Sequence, residues 1–169
     1  SSLVLALGAG YAQYVTPYKG PYVIERRGTG FSLALEWHPG MRLRLAVESG
    51  WTTFYSYELK DVETSFGRTD ASLRLSAIPL LAVFSMPIVS AFTLHAGTGG
   101  YFVRSHATSF AETVDVVRFA QGWVVAASWD HAVVWGFRFG TAVKWYGATE
   151  FGDGSLLLQL CAEIPIVSW

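Results

Sequence analysis

A period of two governs this chain, and its charges obey it. From Gly30 to His38, Phe31, Leu33, Leu35 and Trp37 alternate with Ser32, Ala34 and Glu36. Only a strand sends successive side chains to opposite sides, so such a run makes a sheet with two unlike faces. Leu43, Leu45, Val47 and Trp51 then alternate with Arg42, Arg44, Ala46 and Glu48, and the intervening Pro39-Gly40 marks a hairpin. The pattern predicts strands over Leu3 to Tyr14, Gly28 to His38, Met41 to Phe54, Asp70 to Phe84, Ala91 to Arg104, Val116 to Asp130, Val134 to Tyr146 and Ser155 to Ile166. Long connections (Val15 to Arg27, Tyr55 to Thr69, Ser105 to Asp115, Gly147 to Gly154) alternate with short ones (His38 to Met41, Ser85 to Ser90, Asp130 to Val134). An even number of strands with all long loops at one end is an all-β, antiparallel, up-and-down meander that can close into an eight-stranded barrel.

Other classes are excluded by simple counts. The chain has 169 residues, one domain's worth, so residues 1–169 are read as a single unit. Its hydrophobic content of 51% suggests membrane helices, yet the best apolar stretch, Ala77 to Phe84, is eight residues long and contains Pro79. A helical span needs about 18 or more. A net charge of -1 offers no excess to neutralise a nucleic acid backbone. The lone Cys161 can form neither an intrachain disulfide nor a Cys-rich zinc site, and no cofactor motif is present. The start at Ser1 reads as a processed or trimmed N-terminus.

The choice between a soluble and a membrane barrel rests on which face is wet. Glu36, Arg42, Arg44, Glu48, Arg74, Arg118, Arg138, Lys144 and Glu163 share one parity, and Gly8, Gly10, Gly30, Gly50, Gly97, Gly99, Gly122, Gly136 and Gly140 share it too. Tiny residues between long charged ones suit a narrow lumen, where each long side chain needs a small neighbour. The bulky rings fall at strand ends: Trp37, Phe84, Phe92, Trp129, Trp135 and Trp169 flank the short turns or the C-terminus. Trp51, Phe54, Tyr55, Tyr101, Phe102, Phe119, Trp145 and Tyr146 flank the long loops. Trp135 and Trp145, ten residues apart, stand roughly 25 Å apart along a tilted barrel axis, the height of an outer-membrane apolar band. A transmembrane barrel follows; a soluble lipocalin-like carrier is the alternative.

On these features the chain resembles the small eight-stranded outer-membrane barrels of the OmpA and OmpX type over nearly its whole length. The resemblance implies secretion across the inner membrane and insertion into a bacterial outer membrane. Trp169 looks like the C-terminal aromatic signal of such proteins; Val167 suits it, while Glu163 and Pro165 depart from its alternation. Pro79 predicts a bulge, since it cannot donate to a ladder. Ile78 to Val83 and Ile164 to Val167 are apolar on both parities, which predicts either a dry lumen near the short-turn end or a partner covering it.

The inward ions are the most concrete constellation. Six cations (Arg42, Arg44, Arg74, Arg118, Arg138, Lys144) can pair with Glu36, Glu48 and Glu163, and the desolvation of an unpaired charge in a narrow bore demands that they do. The reading is a salt-bridged plug, with a narrow or gated pore as the alternative. His106, Ser109 and Glu112 have the residue types of a lipid hydrolase, without a nucleophile elbow. Glu48, His95 and Ser128 share lumen parity, where buried hydrogen bonding accounts for them. His38 and His131 fall in turns and are read as solvated, and Cys161 as a small packing residue. The long loops mix charges with Tyr18, Tyr22 and Phe66. The expected function is a non-enzymatic membrane anchor that presents loops to membrane lipid and lipopolysaccharide or to other envelope proteins, with the short-turn end as a second docking face and no nucleic acid partner.

Overall fold

The computed structural model describes residues 1–15, 27–40, 42–64, 67–109, 112–149 and 153–169, with the side chains at 54–64, 67–71, 109 and 153 outside that description. Eight strands follow one another: β1 Ser2–Tyr14, β2 Arg27–His38, β3 Arg44–Thr64, β4 Gly67–Val89, β5 Phe92–Ser109, β6 Glu112–Val134, β7 Phe137–Ala148 and β8 Asp153–Ser168. Each pairs antiparallel with its neighbours and β8 closes on β1. Stepping between paired residues from Leu3 through Trp37, Leu45, Phe84, Ala96, Val125, Trp145 and Leu156 returns to β1 at Gln13, ten residues on. Eight strands with that stagger tilt by roughly 40° and enclose a backbone radius of about 8 Å. Such a bore is filled by side chains.

Side-chain chemistry decides which way each face looks. Leu33, Val125 and Phe139 are exposed on the outside, whereas Glu48 and Lys144 are buried inside. An exterior of leucine, valine and aromatic side chains around an ionic interior is the reverse of a water-soluble barrel and the arrangement a lipid solvent favours. The core proper is a column of Ala12, Ala34, Ala46, Ala77, Leu81, Val83, Val103, Val124, Leu157 and the rings of Tyr14, Tyr101 and Tyr146. Tyr101 and Tyr146, assigned by sequence to the outer aromatic ring, therefore face inward.

Two of the expected loops are strands. β3 runs to Thr64 and β4 starts at Gly67, while β5 runs to Ser109 and β6 starts at Glu112. Their described parts, 55–64, 67–69, 105–109 and 112–115, thus continue the sheet beyond the barrel wall. Their charges read as loops because alternation against lipid ceases there, but polar ribbons can pair in water too. The connections over 16–26 and 150–152 lie outside the described residues.

At the other end, β6 passes the expected turn through a register shift between Asp130 and Ala132 and reaches Val134. Trp135 and Gly136 then make the reversal, both at positive φ (51° and 83°), the two-residue turn whose twist matches a hairpin. Trp135 accordingly sits on the turn rather than on β7, 94% exposed. Pro79 produces no bulge: the β3–β4 register is the same at Ser49↔Leu80 and Thr52↔Ala77, and the ladder simply skips Gly50 and Trp51 opposite it. The shift on β4 falls between Pro87 and Val89, and Pro165 adjoins another where Leu3↔Val167 gives way to Val4↔Pro165.

Candidate functional site

The lumen is layered. Nearest the short turns, His38 Nε2 lies 3.0 Å from Glu36 Oε2, and the Arg138 guanidinium is shared between Asp130 at 3.7 Å and Glu163 at 3.5 Å. Next, the His95 ring bridges Ser85 Oγ at 2.7 Å and Ser128 Oγ at 2.8 Å, tying β4, β5 and β6 together. Above it, Glu48 on β3 accepts from Lys144 Nζ at 2.6 Å and from the Tyr146 hydroxyl at 2.7 Å, both on β7. Lys144 also donates to Ser32 Oγ at 3.2 Å, Ser32 donates to Gln159 Oε1 at 3.1 Å, and Gln159 Nε2 donates to Cys161 Sγ at 3.3 Å. A buried carboxylate and ammonium hold their charges only when both are paired and further hydrogen-bonded, which is what this chain of contacts supplies. A cavity of about 50 Å³ among these groups has room for a few waters.

Farther from the short turns the described lining is mainly apolar. Leu81, Val124, Leu157, Tyr101 and Tyr146 are fully buried, the two tyrosine rings meeting edge to face at 6.3 Å. The Tyr101 hydroxyl donates to the Trp123 carbonyl at 2.8 Å. Its ring lies against Gly122, where an added Cβ would come within 2.2 Å of it. This layer packs the bore with apolar side chains and rings. The dry section expected beside the short turns is therefore in the opposite half: with the strands so tilted, inward-facing Pro79, Leu81 and Val83 of the two-sided apolar run reach mid-barrel. Ile164 at the short-turn end is only partly buried.

Of the residues singled out by parity, Glu36, Glu48, Arg138, Lys144 and Glu163 line the lumen, and Arg44 stands at its short-turn mouth in the field of Glu36. Three do not join them. Arg42 precedes β3 and lies at the short-turn mouth. Arg118 has inward parity but stands exposed where β6 has left the closed wall. Arg74 shares parity with outward-facing Ile78, Leu80 and Phe84, so it points away from the axis. The cause is physical: beyond the lipid the outer face meets water and becomes polar, while Leu75 on the other face packs against the core, so the amphipathic phase inverts. Parity also bypassed Ser32, Tyr146 and Gln159, which complete the network. Their residue types carry no charge, and only their register with Glu48 and Lys144 could have shown them.

Phe92 and Trp129 meet edge to face at 6.0 Å, and Trp37, on the far side of the barrel, is exposed in the same short-turn half. Trp51 is exposed in the other half, where Trp123 and Trp145 lie 5.8 Å apart and Phe102 and Phe119 lie 5.6 Å apart. Trp169 is exposed, its backbone N–H donating to the Ser1 carbonyl at 2.9 Å. Just beyond Phe102 and Phe119, on the same outer face, Asp115 accepts from Arg104 at 3.2 Å and lies 2.7 Å from His106 Nδ1. The His106 hydrogen bond, then the Arg104 guanidinium, holds the Asp115 carboxyl below its usual range. His106 is thus directed to Asp115, while Glu112 pairs with Ser109 through the β5–β6 ladder and the Ser109 side chain lies outside the described residues. Among the described residues no cluster of His, Cys, Asp and Glu is placed to hold a metal.

The second feature is an open sheet edge. β5 pairs with β6 as far as Ser109↔Glu112, but β7 pairs with β6 only as far as Gly122↔Ala148. Among the described residues, Glu112 to Ala120 therefore has a strand on one side only. At its base the Thr149 backbone N–H donates to the Gln121 carbonyl at 2.9 Å.

No protein-family model and no curated protein sequence matches the chain. Solved structures do. Ail, the attachment invasion locus protein of Yersinia pestis, superposes with a TM-score of 0.59 at 14% identity, over 97% of this chain and 100% of that one. Ail has also been solved in complex with the heparin analogue sucrose octasulfate. Neisserial surface protein A gives 0.56 at 16% identity over 98% of both chains. A major outer membrane protein of Thermus thermophilus gives 0.61 at 10% identity, over 98% of this chain and 100% of that one. The fold is that of the small outer-membrane β-barrels.

Proposed function

We propose that the chain is a non-enzymatic bacterial outer-membrane protein whose filled barrel anchors a protruding sheet, and that this sheet holds an extended segment of another polypeptide along β6. The unpaired stretch Glu112 to Ala120 is the observation that carries it. Alternate residues of a strand aim both backbone groups the same way, and the Gln121 carbonyl already faces the open side. Thr113, Asp115, Val117 and Phe119 share its parity and offer donors and acceptors to a further strand. Val114, Val117 and Phe119 are 55%, 63% and 60% exposed, an apolar edge that natural sheets ordinarily blunt. Two copies side by side in one membrane run β6 in the same sense, so an antiparallel ladder calls for a different chain. The Arg104, His106 and Asp115 cluster beyond the aromatic ring supports contact with lipid or lipopolysaccharide headgroups at the base of the sheet.

The packed apolar layer at Leu81 and Leu157 speaks for an anchor over a pore, and planar bilayers loaded with the protein are expected to stay silent. Hydrogen exchange in phospholipid nanodiscs tests the edge. The amides of Val117 and Phe119 should exchange fast, and Val117→Pro, which removes one donor from the open side, should insert normally yet lose the partner captured by cross-linking wild-type cells. Slow exchange at these amides in the isolated barrel refutes the reading.

A further inference from the structure

We propose that the short-turn mouth of the barrel is a binding pocket for the free carboxylate end of an extended apolar peptide. A cleft of about 620 Å³ opens there, between the β4–β5 turn and the β6–β7 hairpin. That volume lies in the range of ligand pockets and admits a segment of a few residues. Ile88 and Val89 form one wall and Val133 the other, 49%, 59% and 69% exposed. Val89 pairs with Phe92 and so shares the outer face, but lipid does not account for the exposure of Val133. Val133 pairs with Arg138 on the lumen side of the hairpin, so a bilayer lipid would have to leave its leaflet to cover it.

The polar end of the cleft sets three arginines against one lining carboxylate, Asp130. Arg42 and Arg44 stand on its β3 side and Arg138 on the β7 side. Arg138 is shared between Asp130 and Glu163, and Arg44 lies in the field of Glu36 and Glu163 without an ion pair; among the described residues Arg42 makes no ion pair and is the cation left for a ligand. Its guanidinium fork matches a carboxylate in geometry and charge. Both walls are also shaped by bulges, between Pro87 and Val89 on β4 and between Asp130 and Ala132 on β6. Such irregularities at a barrel rim re-aim side chains and often border binding sites. The Asp130 N–H donating to the Ala91 carbonyl at 2.8 Å pins the two walls together.

The test uses the full chain in phospholipid nanodiscs and an acetylated pentapeptide of leucine, valine and alanine with a free C-terminal carboxylate. Saturable amide shifts at Ser90, Ala91 and Ala132 are expected, weakened roughly tenfold when the same peptide carries a C-terminal amide. Arg42→Gln, at an exposed position that leaves the fold intact, should weaken the acid by a similar factor and leave the amide unchanged. Equal binding of acid and amide, indifference to Arg42→Gln, or equally tight binding of hexanoate alone overturns the proposal.

Discussion

Glu48 and Lys144 stand on strands β3 and β7 and meet across the bore at 2.6 Å. Both are buried, and the pair is held from each side, by Tyr146 on the carboxylate and Ser32 on the ammonium. Removing one member strands the other, so Glu48→Ala or Lys144→Met should each cost about 3–5 kcal/mol, whereas replacing both with uncharged residues of like size should recover most of it. Urea unfolding from lipid vesicles, followed by tryptophan fluorescence, reads the cycle. Additive losses in the double variant would show that the two do not act as a pair.

The packing above that pair sets a second expectation. The Tyr101 ring fills the space that a side chain at Gly122 would take, and the Gly147 carbonyl comes within 2.5 Å of the same point. Gly122→Val therefore has nowhere to go. Overpacking of this kind costs typically about 1–3 kcal/mol, and backbone on one side leaves little relief. The heat-modifiable gel shift of the folded barrel should be lost at lower temperature, and combining the change with Tyr101→Ala should restore part of the loss.

Outside the membrane, Asp115 gives a pH dependence. Its carboxyl is held below the ordinary 3.8 by His106 first and Arg104 second. A depressed folded-state value means that the contact contributes above the unfolded-state value and is lost as pH falls through the folded-state one. A carbon-13 titration of the carboxyl should give a midpoint under 3.8, and His106→Ala should move it upward. Because the group is exposed, the global unfolding midpoint should barely respond. An unchanged carboxyl midpoint in His106→Ala would remove the proposed link between strands β5 and β6.

Legibility of the fold from sequence follows the solvent. Within the lipid band, alternation is enforced by a single rule, apolar out and small or charged in, and Leu33, Glu36, Glu48, Val125, Arg138 and Lys144 all obey it. Beyond that band the rule changes sign, and there parity misdirects Arg74, where Leu75 turns inward and the guanidinium outward. The strand segments at 55–64, 67–69, 105–109 and 112–115 are illegible for the same reason, since beyond the lipid band no apolar solvent enforces alternation. The network partners Ser32, Gln159 and Tyr146 depend on register between strands distant in sequence, and composition along one strand does not encode it. The cleft at the mouth arises from two bulges, and neither bulge has a local marker beyond Pro87.

The orientation of the two faces makes the last prediction quantitative. Val125 is 52% exposed on the outer wall of β6, and its cross-strand neighbours Ala96 and Trp145 are on the same lipid-facing side. An arginine there would place its guanidinium against acyl chains near mid-depth, which costs about 2–4 kcal/mol in such barrels. At Ala126, one residue on, the side chain faces the lumen beside Lys144, so Ala126→Glu should be tolerated better than Ala126→Arg. Glutamate there gains a cation, and arginine meets one. Unfolding free energies from bilayers for Val125→Arg, Ala126→Glu and Ala126→Arg should therefore place Ala126→Glu as the least destabilised of the three. If Val125→Arg were instead neutral, the outer wall would be meeting water, and the barrel would have to be read as a soluble one.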